Sequence, residues 1–184
     1  TRITSTRRNT SWTDPPAMKR MAGEQGSEPF DDQIHAGSML DREFFAGATV
    51  EIARELIGCR LVRVENGTRL SGRIVETEAY TQDDPAFHGW NLWNRETGEL
   101  EKEGRGAALF GPPGSAYVYL CYGVHWLFNV VTEEEGTGGA VLIRAVEPLE
   151  GVERMRCRRG EDRSRVELTN GPGKLSEAFG IDEA

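Results

Sequence analysis

The sequence has few of the residues from which metal and redox sites are built. Among its 184 residues there are three cysteines and three histidines, and no C-x-x-C pair, H-E-x-x-H motif or other ligand spacing joins them. These residues are Cys59, Cys121, Cys157, His35, His88 and His125. The sequence therefore predicts no metal site and no cofactor. The odd, sparse cysteine count favours an intracellular, reducing compartment over a disulfide scaffold.

Long apolar runs and nucleotide-binding motifs are also missing. No stretch of about 18 apolar residues is present, and the first residues contain no apolar signal-peptide core. We therefore expect no contact with a membrane and no secretory signal. The sequence contains no Walker loop and no G-x-G-x-x-G, and Ser115 is not in a G-x-S-x-G motif. These absences disfavour kinase, dinucleotide-binding and serine-nucleophile functions.

Positive charge is scarce overall but locally concentrated. The formal net charge is −8 and the isoelectric point is about 5.0, which taken alone argues against binding to nucleic acid. The exception is a basic run that contains Arg144, Arg154, Arg156, Arg158, Arg159, Arg163 and Arg165. A DNA-binding protein would have to act through such a patch against an unfavourable net charge.

The composition divides the chain into a tail and one foldable domain. Residues 1–38 are rich in polar residues, proline and glycine, with isolated apolar side chains only, so we predict a disordered N-terminal tail. Residues 39–184 form the predicted domain. Apolar spacing predicts helices at 41–45, 49–57, 150–158 and 174–179, and strands at 59–64, 72–80, 116–122, 124–131 and 140–146. Glu147-Pro148 is expected to end the last of these strands.

The strand at 72–80 carries the most unusual side chains. Alternation places Ile74, Glu76, Glu78 and Tyr80 on one face, with the two carboxylates about 6–7 Å apart. One carboxylate could be a general base that activates water, or both could be solvated groups on a half-exposed sheet. Spacing alone does not rank the two glutamates.

Two polar residues interrupt otherwise apolar strands. Arg144 requires a partner, which could be a core carboxylate in a buried ion pair, or Glu78 or a phosphate at a pocket. Asn129 could be a hydrogen-bonded core amide or a group that reads the edge of a base.

Exposed aromatic residues are the second unusual feature. Tyr122 precedes Gly123 at the predicted tip of a hairpin, where it has little core to enter and is suited to stacking on bases or wedging between them. Trp90 and Trp93 lie in a mixed-charge insertion at 89–104. They either pack back onto the domain or face a partner.

Several blocks of sequence resemble the 3-methyladenine (alkyladenine) DNA glycosylase family, of the mammalian type rather than the helix-hairpin-helix type. They are GRIVETEAY at 72–80, AYVYLCYG at 116–123, Asn129, VLIRAVEPLEG at 141–151 and NGPGKL at 170–175. The resemblance extends from about Leu40 to Ile181. It implies a single mixed α/β (α+β) domain, in which helices flank a curved antiparallel β-sheet and a protruding β-hairpin enters the DNA minor groove.

The activity that the resemblance implies is base-excision repair. Such an enzyme flips alkylated or deaminated purines, such as 3-methyladenine and hypoxanthine, out of duplex DNA. It hydrolyses the N-glycosidic bond and leaves an abasic site. The resemblance implies a monomer that acts on double-stranded DNA in the nucleoid or nucleus. No lysine occupies the matched pocket positions, so we expect a monofunctional glycosylase without Schiff-base chemistry.

The resemblance also implies a role for individual residues outside the base pocket. Glu78 would activate water, and Arg144 would lie near that water and the backbone of the flipped nucleotide. Tyr122 would fill the gap left in the duplex. Arg105 and Lys174 are candidates for contacts with the DNA backbone.

Five further residues would bind the flipped base. Tyr80 would stack on it, Tyr119 would form the opposite wall, and His88 with the backbone near Ala86 would contact it. Asn129 would screen base identity by clashing with the exocyclic amino group of normal guanine.

The sequence departs from the family in three respects, and two other functions remain open. The loop before His88 is one residue shorter than in some relatives. The usual Thr-x-Arg-Asn segment matches only loosely at Arg105, after the tryptophan insertion, and the family's C-terminal portion would be missing beyond Ala184. One alternative is a non-catalytic module that binds lesion-containing DNA on the same fold. The other is a hydrolase of small nucleosides, which the negative net charge favours.

Overall fold

The computed structural model describes residues 1–5, 38–100 and 104–182, which form a mixed α/β domain built on one antiparallel sheet. The sheet has six strands in the order β1-β2-β3-β8-β7-β6, and β4 and β5 form a separate hairpin. The strands are β1 Arg2–Thr4, β2 Arg60–Glu65, β3 Thr68–Thr81, β4 Trp93–Asn94, β5 Glu99–Leu100, β6 Ala116–Cys121, β7 His125–Val131 and β8 Gly139–Glu150. The helices are α1 Arg42–Phe45, α2 Thr49–Leu56, α3 Val152–Arg159 and α4 Pro172–Phe179. The predicted fold class and all four predicted helices are confirmed.

The two faces of the sheet bury different clusters of side chains. On β7, Phe128 and Val130 join the larger cluster beneath α2, α3 and α4, whereas Val131 joins a smaller cluster with Phe87 and Phe110. Because successive side chains of a strand point to opposite faces, the helices cover one face and the 3₁₀ segment Arg105–Phe110 covers the other, which is called the 3₁₀ face. The smaller cluster is the one that shapes the candidate site.

Helix α2 is amphipathic, and a distant residue caps its N-terminus. Ile52 and Leu56 are buried, while Arg54 is exposed and paired with Glu51. Ala48 at the N-cap offers no side-chain acceptor, so the backbone N–H of Thr49 donates to the Glu133 carboxylate at 2.7 Å. This bond fixes the helix to the loop between β7 and β8.

Adjacent bulges in β3 and β8 reverse the predicted alternation. Ile74 pairs with Val146 and Thr77 with Ile143, but between them Glu76 pairs with Ala145, so Val75 and Arg144 are the extra residues. Ile74 is therefore buried beneath the helices, and Thr77 donates its hydroxyl hydrogen bond to the Ala53 carbonyl of α2. The prediction that Ile74 shares a face with Glu76 is wrong, because a bulge shifts the strand's phase by one residue.

Two predicted boundaries are also corrected. Arg2–Thr4 pairs with β2, so the predicted disordered tail is wrong for residues 1–5, and the rest of it, 6–37, lies outside the described residues. Strand β8 continues through Pro148, opposite Gly72, to Glu150. The proline does not end the strand, and α3 begins only after Gly151.

The two long hairpins use the same type of turn with different residues. Asn66 and Gly67 have φ angles of 47° and 77°, and Tyr122 and Gly123 have φ angles of 50° and 70°. Both positions of such a turn are left-handed, which Asn-Gly accommodates well. A tyrosine in this conformation costs about 1–2 kcal/mol.

Replacing Tyr122 with asparagine should therefore stabilise the protein. We expect the free energy of unfolding of Tyr122→Asn to rise by about 1 kcal/mol, because asparagine tolerates the left-handed conformation. Urea unfolding measures the change. The reciprocal control, Asn66→Tyr, should lower the free energy of unfolding by a similar amount. A Tyr122→Asn variant less stable than wild type would contradict the assignment of strain to this turn.

Candidate active site

A cavity on the 3₁₀ face of the sheet brings together all five residues predicted to contact a base. Its lining consists of Tyr80, Ala86, Phe87, His88, Leu109, Tyr117, Tyr119, Asn129 and Ala140. Tyr80 comes from β3, Tyr119 and Asn129 from the β6–β7 hairpin, and Ala86 and His88 from the loop after β3. The lining is predominantly aromatic with a few polar atoms, as is usual for a site that binds a planar ligand.

A group of three rings forms one side of the cavity. The centroids of His88 and Tyr119 are 4.5 Å apart, and those of Tyr117 and Tyr119 are 5.6 Å apart. The Tyr117 hydroxyl and His88 Nδ1 are 2.6 Å apart and form a hydrogen bond. Burial, followed by the charge of Arg105, lowers the pKa of His88, so its imidazole is neutral at pH 7.

Tyr117 is a cavity residue that the sequence reasoning missed. It lies two residues before Tyr119 on the same strand and therefore on the same face. This two-residue spacing could have identified Tyr117 as a cavity residue from the sequence. Burial raises the pKa of Tyr117 to about 12, so its hydroxyl remains protonated and available to His88.

Asn129 is a hydrogen-bonded amide in the wall of the cavity. Its side chain is buried, with 5% exposure, and its amide nitrogen donates to the Tyr117 carbonyl at 3.3 Å. It also lines the cavity. The hydrogen bond fixes the amide in the wall, where its shape limits what a ligand can place beside it.

Both carboxylate oxygens of Glu78 are held by neighbouring side chains. The Tyr80 hydroxyl donates to Oε2 at 2.5 Å, and the Arg144 Nε lies 3.4 Å from Oε1. Arg144 Nε is also 3.3 Å from Glu76 Oε2. The hydrogen bond to Glu78, followed by burial and the carboxylate's charge, raises the pKa of Tyr80 to about 12. Tyr80 is therefore a neutral donor at physiological pH.

The surroundings distinguish the two glutamates and correct one expectation for Arg144. The exposed fraction of the Glu76 side chain is 57%, against 36% for Glu78. Arg144 is 44% exposed, so the buried ion pair considered from sequence is wrong, and the arginine lies at the site's rim. Its position follows from the bulge, which turns it out of the apolar strand. Glu76 is a second carboxylate partner for this arginine.

Glu78 lies between the aromatic cavity and a larger open groove. Tyr80, its hydrogen-bond partner, lines the cavity, whereas Glu78 and Arg144 line the groove between α2 and β3. The groove is more spacious, but its walls include Val50 and Ile57 and lack aromatic rings. The aromatic cavity is therefore the better match for a planar ligand, and the groove leaves the carboxylate open to solvent.

The three other predicted DNA contacts lie on exposed surfaces. Tyr122, at the hairpin tip, is 97% exposed. Arg105 is exposed at the start of the 3₁₀ segment Arg105–Phe110, and Lys174 donates to Asn170 Oδ1 at 2.9 Å in the first turn of α4. This turn lies against the hairpin close to its tip, because a Cβ on Gly173 would be only 2.8 Å from the ring of His125, which pairs with Cys121 beside the Tyr122-Gly123 turn.

The basic run is used mainly within the protein. Arg158 donates to the Glu65 carboxylate and to the Ala178 carbonyl, and Arg165 donates twice to the Pro148 carbonyl. Arg159 pairs with Glu177. The bonds of Arg158 and Arg159 join α3 to β2 and α4, and those of Arg165 hold the segment after α3 to β8, so these three arginines are not free to bind phosphate.

The described part of the chain contains neither a cluster of metal-binding side chains nor a membrane-spanning helix. Within residues 1–5, 38–100 and 104–182, no three His, Cys, Asp or Glu side chains come close enough to hold a metal ion. Within the same ranges, no helix is long and apolar enough to cross a membrane.

Comparison with known proteins gives a consistent result. Residues 43–184 match the family Methylpurine-DNA glycosylase (MPG). A protein of Salinibacter ruber, named "Putative 3-methyladenine DNA glycosylase", is 66% identical over 145 residues, which are 78% of this chain and 70% of that protein. Proteins of the same name from Rhodopseudomonas palustris (strain HaA2) and Carboxydothermus hydrogenoformans are 50% and 46% identical over 80% and 78% of the chain. The matches cover 67% and 70% of those two proteins.

The raised pKa values of Tyr80 and Tyr117 predict a defined alkaline titration. Both values are about 12, above the ordinary 10, so folding favours the neutral phenols. Their contribution to stability is complete below pH 10 and is lost as pH rises through 12. In an absorbance titration of tyrosinate, Tyr80→Phe and Tyr117→Phe should each remove one late-titrating tyrosine. Glu78→Gln should lower the pKa of Tyr80 towards the ordinary value of 10. A late phase that survives Tyr80→Phe and Tyr117→Phe unchanged would contradict the assignment.

Proposed function

Because the chain belongs to the methylpurine-DNA glycosylase family, we propose that it repairs DNA by removing methylated purines such as 3-methyladenine. The observation that supports this most strongly is the position of Glu78. Its carboxylate, held by Tyr80 and Arg144, lies at the edge of an aromatic cavity suited to a purine. Other alkylated or deaminated purines, including hypoxanthine, are further candidate substrates. We expect a monomer that acts on duplex DNA inside the cell.

The proposed substrate must leave the DNA duplex to reach the cavity. A stacked, paired base cannot enter a concave site between β3 and the β6–β7 hairpin, so the nucleotide would rotate out of the helix. Tyr80 would stack on the flipped base, opposite Tyr119 and His88. Asn129, fixed by its hydrogen bond, would disfavour normal guanine through contact with the exocyclic amino group.

The chemical step would be hydrolysis of the N-glycosidic bond. As the C1′–N bond breaks, its electron pair leaves with the base and the sugar becomes cationic. The nearby negative charge of Glu78 would stabilise this cation and accept a proton from the attacking water. The water oxygen bonds to C1′, giving a free base and an abasic site. Because no lysine lines the described cavity, we propose a monofunctional reaction with water as the nucleophile.

Several features support these assignments for Tyr80 and Arg144. The two side chains hold opposite oxygens of Glu78, so the carboxylate does not reorient as charge develops. Such preorganisation is a principal source of electrostatic catalysis. Arg144 is also exposed enough to reach the backbone of the flipped nucleotide. Arg105 and Lys174 would contact neighbouring phosphates.

Tyr122 would occupy the space that the flipped nucleotide leaves. Its ring is exposed and flanked by Gly123 at the end of a protruding hairpin, as for other side chains that wedge into duplex DNA. Its left-handed conformation is less favourable than that of asparagine would be. Retention of strain at an exposed residue is typical of a functional position.

Replacement of Glu78 tests the chemical proposal. We expect Glu78→Gln to reduce release of 3-methyladenine from alkylated duplex DNA about 100-fold or more, because the amide carries no charge and accepts no proton. Single-turnover base release measures the chemical step. The matched control is Glu76→Gln, which removes the other carboxylate beside Arg144 and should have a much smaller effect.

Three outcomes of this assay would decide against the proposal. Equal release by wild type and Glu78→Gln would remove Glu78 from the chemistry. Tight binding to lesion-containing DNA without any release would favour the non-catalytic module. Release from free nucleosides, with an affinity independent of salt and no DNA binding, would favour the small-nucleoside hydrolase.

Replacement of Tyr122 tests the wedge separately from the chemistry. We expect Tyr122→Asn, although more stable, to excise the base from duplex DNA at least about 10-fold more slowly, because loss of stacking costs about 1–3 kcal/mol. Excision from single-stranded DNA should change little, since no gap has to be filled. Equal losses on both substrates would argue against a wedge.

A further inference from the structure

The insertion at 89–104 places a second small hairpin against the aromatic cavity. Trp93 begins β4, which pairs with β5 opposite Leu100, and both side chains pack against the cluster that contains Phe87 and Phe110. Of the two alternatives that the sequence left open, packing back onto the domain is therefore the outcome for Trp93. The hairpin extends the cavity's supporting layer rather than lining the cavity itself.

A continuous series of ring contacts joins Trp93 to the cavity. The Trp93 ring stacks on Phe110 with centroids 6.2 Å apart and planes inclined by 17°. Phe110 contacts Phe87 edge to face, with centroids 5.7 Å apart. Phe87 is a wall residue of the cavity, whereas Phe110 and Trp93 lie behind it. A change at Trp93 can therefore reach the wall through one intervening ring.

The backbone encloses the two phenylalanines on their other sides. A Cβ on Gly138 would lie 2.6 Å from Phe110 and 2.9 Å from Phe87, and one on Gly89 would lie 2.7 Å from Phe87 and 2.8 Å from Phe110. These contacts leave no space for the ring pair to move towards either glycine. The Trp93 side is closed by a side chain, so Trp93 determines how far Phe110 and Phe87 can move outward.

The charges of this hairpin do not favour contact with DNA. The charged residues between 89 and 100 are Arg95, Glu96 and Glu99, which together carry one net negative charge. Arg95 covers the Trp90 ring, with its guanidinium carbon 3.2 Å from the ring centroid, and donates to the Gln82 carbonyl. Since the cation is used internally and the carboxylates would repel phosphates, packing is the role that remains for the hairpin.

We propose that Trp93 is a positioning residue that determines substrate specificity. By supporting Phe110 and Phe87 from behind, it sets the width of the base cavity and limits the size of the purine that can enter. This inference rests on the proposed glycosylase function. Differences of about one small group in an apolar pocket change selectivity by about 10- to 200-fold, so a shift of the wall should be measurable.

The test compares Trp93→Ala with Trp93→Phe and with Trp90→Ala. For each variant, kcat/KM for excision is measured on duplex DNA containing 3-methyladenine or an adenine enlarged by a fused etheno ring. Trp93→Ala should raise the ratio of kcat/KM for the bulky substrate to kcat/KM for the small one at least about tenfold, because Phe110 and Phe87 can move outward. Trp93→Phe keeps a ring against Phe110 and should restore the ratio towards wild type. Trp90→Ala should leave it unchanged.

A binding measurement makes the result independent of catalysis. The affinities of the two free bases are measured by titration calorimetry on the same variants, with thermal unfolding as a check of folding. If Trp93→Ala does not fold, Trp93→Leu takes its place. An unchanged affinity ratio and an unchanged excision ratio would overturn the inference while leaving the glycosylase proposal intact. A wild-type chain that releases no base would defeat the glycosylase proposal, and the affinity ratio would still decide the role of Trp93.

Discussion

The structure of the site depends on the hydrogen bond between the Tyr80 hydroxyl and the Glu78 carboxylate. These residues lie two apart on one strand, so β3 presents both on one face without help from a loop. The tyrosine is simultaneously a wall of the aromatic cavity and a donor to the carboxylate. Its raised pKa follows from that bond and keeps the donor neutral across the physiological range. The wall of the cavity and the carboxylate proposed to react are therefore linked by one short contact, and Arg144 completes the restraint from the other side.

The paired bulges make this arrangement compatible with a buried sheet. Without them, Ile74 and Glu78 would share a face, and either a carboxylate would enter the core or an isoleucine would be exposed. The extra residue in β3 lets Ile74 remain buried while Glu76 and Glu78 face the opposite side. The extra residue in β8 restores the register and turns Arg144 outward to meet both carboxylates. One local irregularity thus serves the core and the site together.

This irregularity also marks the limit of prediction from the sequence. The helices, the hairpins and the turn at Tyr122-Gly123 were predictable because their signals are local: apolar spacing, and glycine at left-handed positions. The bulge was not, since GRIVETEAY reads as an uninterrupted alternation and only pairing with β8 reveals the extra residue. The neighbours of Arg144 likewise depend on a strand more than 60 residues away. Alternation on β6 could have identified Tyr117, and sequence resemblance rather than spacing separated Glu78 from Glu76.

The net charge places a constraint on how such a protein would recognise DNA. With a formal charge of −8 and many arginines of the basic run bonded to internal carboxylates and carbonyls, long-range attraction to phosphates is weak. In the proposed mechanism, affinity would then come from contacts made only when a base is extruded, which are stacking in the cavity, the proposed Tyr122 wedge and a few local cations. Such contacts are insensitive to salt compared with phosphate neutralisation. These contacts would also require a base that unstacks easily. Since an intact duplex would offer the protein few other contacts, weak attraction to phosphates would favour binding to damaged over normal DNA.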